Sequence, residues 1–268
     1  MNWKRATAVL FGTAGLLGLA VNASATHYWS NYHWARTANP FYLMLGDNVS
    51  GAWDSVLDTT IIDWNQSAVI KVTKVAGLSN PKNCKPTLGR VEVCNSKYGA
   101  NGWLGIAQIW INSSSHITQG TTKLNDTYFS TPTYGTTEWR NLVSCQEVGH
   151  TFGMAHQDEN FTNPNLGTCM DYTNDPLTNQ HPNQHDYDLL VSIYSHLDST
   201  TTVASGSVTS GSQKNEDGPV KDGPNAWGKL KKAVGNHEEY ELDLGNGTKV
   251  VTHVIWVPGE TDLDGHTH

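Results

Sequence analysis

Apolar positions recur along this chain with two different periods, and the changes of period mark its elements. Trp53, Val56, Leu57, Ile61 and Trp64 fall at helical spacing, which predicts an amphipathic helix over residues 51–65 with Ser50 as its N-cap. Runs at 41–45, 68–75, 89–93 and 103–111 predict strands, the last bounded by Gly102 and Asn112. A second helix is expected to start at Thr136 or Thr137, with Glu138 in its first turn, where the helix dipole favours an acid. Trp139, Leu142, Val143, Gln146 and His150 share one face of that helix. The face is apolar where it begins and polar where it ends, so polar groups arrive in the interior and need partners there. Gly153 is a natural stop.

A third helix is predicted over residues 185–197. The segment that follows is rich in Ser, Thr, Gly and charge and has almost no large apolar residue, so it reads as a linker. Beyond it, segments 239–244 and 248–257 flank Gly245-Asn246-Gly247, a strong hairpin signal. An isolated hairpin is marginal in water. This tail is therefore expected to dock on the main body or to stay partly mobile.

Composition adds a compartment. Lys4 and Arg5, an apolar run over 6–21, and Ala23-Ser24-Ala25 read as a cleaved secretory signal, so the exported chain is expected to begin at Thr26. The division is then a signal segment at 1–25, a main domain at 26–198, a linker at 199–225 and a hairpin tail at 226–268. Four Cys remain, which in an oxidising compartment allow two disulfides. Cys84 and Cys94 flank a turn and form the expected local pair, which leaves Cys145 with Cys169. No later segment has the length of a membrane span. The formal charge of −8 argues against affinity for a nucleic-acid backbone.

The candidate chemistry lies in Gln146-Glu147-Val148-Gly149-His150-Thr151-Phe152-Gly153-Met154-Ala155-His156. On a helix, positions 146 and 150 project about 40° apart. Gly153 lets the backbone leave the helix so that His156 swings back toward the same point. Three ligands plus one open position for water are what a catalytic zinc requires. Glu147, one residue along from Gln146, is placed to take a proton from that water.

This stretch resembles the metzincin signature H-E-x-x-H-x-x-G-x-x-H, with Glu147, His150, Gly153 and His156 in register. Cys169-Met170-Asp171-Tyr172 is similar to the metzincin Met-turn. The resemblance, over roughly residues 40–198, is to the matrixin-like secreted type. It implies an α/β (α+β) zincin domain: a twisted mixed sheet, an active-site helix and a small C-terminal subdomain. The implied activity is metalloendopeptidase action with Zn2+. It makes Glu147 the general base, Tyr172 an oxyanion stabiliser, Met170 a support beneath the metal, and residues 103–111 the edge strand that receives an extended polypeptide. A monomer is expected.

The chain departs from the signature at its first ligand, where Gln146 stands in place of His. Gln146 ligates through its amide oxygen, or Asp158, Glu159, His181 or His185 completes the site, or the site is a relic. A relic has no physical need of Glu147. His27, His33, His237, His253, His266 and His268 are scattered and receive no role. The acid- and amide-rich loop at 158–175 could hold a structural calcium, although it lacks a defined calcium-loop spacing. No Cys lies upstream of the first strand, so latency imposed by an N-terminal segment is not expected. Two rival readings are a non-catalytic protein-binding module in the same cleft and, from the many Trp, a carbohydrate-binding or adhesion protein.

Overall fold

The structure is a computed structural model that describes residues 27–206 and 222–259. The predicted signal segment, residues 207–221 of the predicted linker, and His266 and His268 lie outside the described residues. The fold is mixed α/β, built on one mixed sheet with the usual strand twist.

The strands are β1 (His33–Trp34), β2 (Phe41–Asn48), β3 (Ile70–Ala76), β4 (Val91–Ser96), β5 (Trp103–Ile111), β6 (His116–Asn125), β7 (Lys229–Val234), β8 (His237–Gly245) and β9 (Thr248–Trp256). Their order across the sheet is β3-β2-β4-β6-β5-β9-β8-β7, with β1 pairing the start of β6. Pairings from β3 to β6 are parallel, and those from β6 through β5 to β7 are antiparallel. The helices are α1 (Trp53–Trp64), α2 (Asp126–Phe129), α3 (Thr137–His150), α4 (Gln184–Ile193) and α5 (Pro224–Trp227).

Two expectations are corrected at the level of elements. Ser50 does not cap α1: the helix begins at Trp53 after Ala52, with no side-chain cap, because Gly51 turns the chain at φ +68° before the helix starts. Strand β6 was not predicted at all. Its sequence is rich in Thr and polar residues, yet it is a central strand. Gln119, Thr121, Thr122 and Lys123 are buried, and Lys123 reaches Asp222 at 2.6 Å.

The third correction bears on function. Strand β5 is not an edge. Strand β9 pairs antiparallel along its whole length, from Trp103 opposite Trp256 to Ile111 opposite Lys249. Apolar burial on both faces of the tail drives the docking. On one face Trp227, Tyr240, Val254 and Trp256 pack with Trp103 and Ile106. On the other, Val251 and Ile255 join the main core beneath the sheet. Every residue of β5 is buried as a result.

Both expected disulfides are formed, Cys84 with Cys94 and Cys145 with Cys169. The second ties α3 to the turn carrying Met170. Among the described residues, no helix is long and apolar enough to cross a membrane.

Candidate metal centre

Helix α3 forms where the sequence places it. Thr136 caps it by accepting from the Trp139 N–H at 3.3 Å, and Glu138 lies in the first turn. From Asn141 onward every residue is buried, because the helix lies between the sheet and α1. Two glycines set the spacing on either side. A Cβ on Gly105 of β5 would stand 2.6 Å from Val143 Cγ1 and 3.0 Å from Glu147 Cγ, so the sheet approaches the helix closely at Glu147. A Cβ on Gly149 would stand 2.8 Å from Met170 Sδ, which places that sulfur directly against the opposite side of the helix. After His150 the chain reverses at Gly153, with φ +88°, where a Cβ would fall 2.1 Å from the Tyr32 carbonyl oxygen. Only glycine fits that conformation and that approach.

This turn brings His156 back to His150, with the two Nε2 atoms 3.0 Å apart. Two nitrogens bound to one tetrahedral zinc stand roughly 3.3 Å apart. The proton of His150 is held on Nδ1 by the Met154 carbonyl at 2.8 Å, which leaves the Nε2 lone pair facing His156. A third imidazole completes the group, and it comes from the tail. His253 of β9 has its ring 4.0 Å from that of His150 and 4.8 Å from that of His156. Ligand atoms of His150, His156 and His253 all lie within 4.8 Å of one another. His253 Nδ1 also stands 3.2 Å from Glu147 Oε2.

Tyr172 packs its ring against His156 at 4.1 Å and stacks on His237 of β8 at 3.9 Å. His237 Nδ1 is 3.2 Å from His253 Nε2. Phe161 extends this aromatic wall, 5.1 Å from Tyr172. On the other side Trp29 stacks on His150 at 5.0 Å.

Gln146 sits on the same face of α3 as His150, one turn earlier. Its amide N–H donates to the Cys169 carbonyl at 2.7 Å, and its amide oxygen is buried with no hydrogen-bond partner among the described residues. The other candidates for completing the site lie elsewhere. Asp158 accepts from Asn160 and Asn163, and Glu159 pairs with Lys232. His181 pairs with Asp63, and His185 packs toward His27. The carboxylates of the 158–175 loop serve the loop itself: Asp171 accepts from the Leu166 N–H and from Asn179. That arrangement gives no support to a structural calcium.

The sequence reading left His253 and His237 without a role. One signal for His253 was available. It alternates with Val251 and Ile255, so a strand there turns its imidazole to the same buried face, where it needs a polar partner.

Burial sets the electrostatics. It pushes His150 and His253 down to about 3 and His156 and His237 well below their usual value, with the neighbouring rings reinforcing it for all but His253. It pushes Glu147 up to about 8 against the pull of His150 and the Ala107 backbone N–H. Burial also raises the Tyr172 phenol, which stays protonated. The result is four neutral imidazoles and one carboxyl group, all buried. Neutral imidazoles are the form that ligates a metal, and a dication among them would offset the desolvation that keeps Glu147 protonated. The donor set fits zinc in kind and in spacing.

No protein-family profile matches the chain, and no curated protein matches it. Among solved structures it is similar to high choriolytic enzyme 1 (HCE-1), a hatching enzyme zinc-protease from Oryzias latipes (medaka fish). The similarity runs at 10% identity and a TM-score of 0.34, over 61% of this chain and 94% of that one. A likeness at that level says nothing of the chemistry here, which rests on the residues described above.

Proposed function

We propose that this protein is an exported zinc metalloendopeptidase of the metzincin type, with His150, His156 and His253 holding the metal. The observation that carries the reading is the convergence of three neutral imidazoles beside the Glu147 carboxyl group, 3.2 Å from His253. Zinc held there would supply a water of lowered pKa and polarise a substrate carbonyl. Glu147 is the group placed to accept a proton at its carboxylate and to return it to the leaving amine. The Tyr172 hydroxyl, kept protonated, is the donor for the developing oxyanion. Met170 supports α3 from below. Gln146 holds the turn that carries Met170 through the Cys169 carbonyl, and the fourth position on the metal is left to water.

The substrate is a polypeptide, engaged as a monomeric enzyme outside the cell, a location that the two disulfides suit. The peptide cannot add to β5, whose backbone groups already serve β6 and β9. A second reading, zinc binding without turnover, is favoured by one specific observation: Glu147, His150, His156 and His253 are all 0% exposed.

One experiment separates them. The chain from Thr26 onward is assayed for zinc content and for cleavage of a denatured protein, with and without chelator, beside Glu147→Gln. Chelator-sensitive cleavage lost in Glu147→Gln supports the enzyme. Zinc that is lost in His156→Ala, with no cleavage in the wild type, supports the binding module. Absence of zinc sinks both.

A further inference from the structure

A second group of imidazoles lies beside the Gly153 turn, where an added Cβ would stand 3.8 Å from His33 Cα, and it plays no part in the function proposed above. His33 of β1, His116 at the start of β6, and His196 and Asp198 in the segment after α4 meet at one point. The Nε2 atoms of His33, His116 and His196 stand 3.5, 3.4 and 3.7 Å from the same oxygen, Asp198 Oδ1. The Nε2 atoms of His33 and His196 face each other at 3.2 Å. Their rings are nearly perpendicular, at 84°, and the His33 and His116 rings meet at 73°.

The surroundings prepare these groups to ligate. His33 holds its proton on Nδ1 against the Asn31 carbonyl at 2.7 Å, so its Nε2 offers a lone pair toward the cluster. Asp198 is fixed by its other oxygen, Oδ2, which accepts from the Arg36 backbone N–H at 3.1 Å and from Arg36 Nη1 at 2.8 Å. Oδ1 is thereby left to face the three rings. Arg36 also binds the His196 carbonyl, which secures the loop that carries two of the four groups. His33, with its proton turned to the Asn31 carbonyl, has no proton on Nε2 to donate to that oxygen. A cation at their centre satisfies every lone pair at once.

We propose that His33, His116, His196 and Asp198 form a second site for a divalent transition metal, zinc by its three-nitrogen, one-oxygen donor set. His33, His196 and Asp198 have ligand atoms mutually within 4.8 Å, and His116 closes the set from β6. The His196 side chain is 54% exposed, which gives the metal a path from solvent. The site has a structural role. It joins β1 to a segment about 160 residues later in sequence, and β1 is what the Gly153 turn rests on: Trp34 Nε1 donates to the Thr151 carbonyl at 2.9 Å.

The test is zinc stoichiometry and affinity by equilibrium dialysis on the full exported chain. Two zinc ions per chain are expected, falling to one in His196→Ala, whose exposed position spares the fold. His156→Ala is expected to keep one zinc, and adding His116→Ala and His196→Ala is expected to weaken that zinc by more than about 100-fold, beyond the range for losing groups that only hydrogen-bond a ligand. Zinc raises the melting temperature of His156→Ala and leaves the triple variant unmoved. A wild-type chain with one zinc that His196→Ala loses supports this site and removes the one proposed above. A residual zinc indifferent to His116 and His196, or no zinc in His156→Ala and one in the wild type that His196→Ala retains, overturns the proposal.

Discussion

His253→Ala tests the point at which this protein departs most from its own motif. The substitution removes one imidazole of three and leaves His150 and His156 in place on α3 and its turn. Loss of a donor bound directly to the metal exceeds the 10–100-fold typical of losing a group that only hydrogen-bonds a ligand, so zinc affinity should fall by about 100-fold or more. At saturating metal that is ~2.7 kcal/mol less zinc-linked stabilisation, since stability rises with the logarithm of ligand over dissociation constant. For a domain of this size it corresponds to roughly 5–11 °C in melting temperature. The ring is fully buried, so its removal also lowers the stability of the metal-free protein. The quantity to measure is therefore the zinc-dependent increment, melting temperature with metal minus that with chelator, in wild type and variant. Gln146→Ala is the control. It is expected to retain most of the increment, because the Gln146 amide is directed by its N–H to the Cys169 carbonyl. The opposite pattern, an increment kept in His253→Ala and lost in Gln146→Ala, would refute the assignment and restore the ligand set that the sequence alone suggests.

Glu147→Gln should keep zinc and lose cleavage by about 10²–10⁴-fold, since the amide fills the same space but cannot accept the proton; undiminished turnover at saturating substrate contradicts the role. Asp186 gives a pH dependence of stability. Burial raises its carboxyl from 3.8 to about 6, so the folded chain holds that proton more tightly than the unfolded one. Its contribution is fully present below about pH 4 and is lost as pH rises through 6, about 3 kcal/mol in all. Urea unfolding across pH 4–7 should show this slope in the wild type and not in Asp186→Asn; equal slopes refute it. Arg90 and Glu92 form a buried ion pair, Nε to Oε1 at 2.9 Å. Arg90→Met should cost about 3–5 kcal/mol, and adding Glu92→Met should recover much of that loss. A single variant as stable as wild type in urea rules this out.

What the chain states locally, its sequence conveys. The amphipathic spacing of Trp53 to Trp64, the cap at Thr136, the stop at Gly153 and the turn at Gly245-Asn246-Gly247 each depend on neighbours within one or two turns of backbone. The placement of Glu147, His150 and His156 is of the same kind, because helix period and one glycine reversal fix it. Strand β6 escaped because burial by strands on both sides, not its own alternation, makes Thr121 and Thr122 interior residues.

Pairing between distant segments belonged to the tertiary structure alone. Strand β5 reads the same whether its free side meets solvent, a substrate or β9. Only the apolar surface of the docked tail selects β9. That choice covers the expected edge and carries His253 across 106 residues of sequence to Glu147. The second cluster follows the same rule, with His33 and His196 separated by 163 residues and meeting at 3.2 Å. Periodicity tells a side chain which face of its own element it occupies, while the identity of the opposing residue is set by the packing of the whole chain.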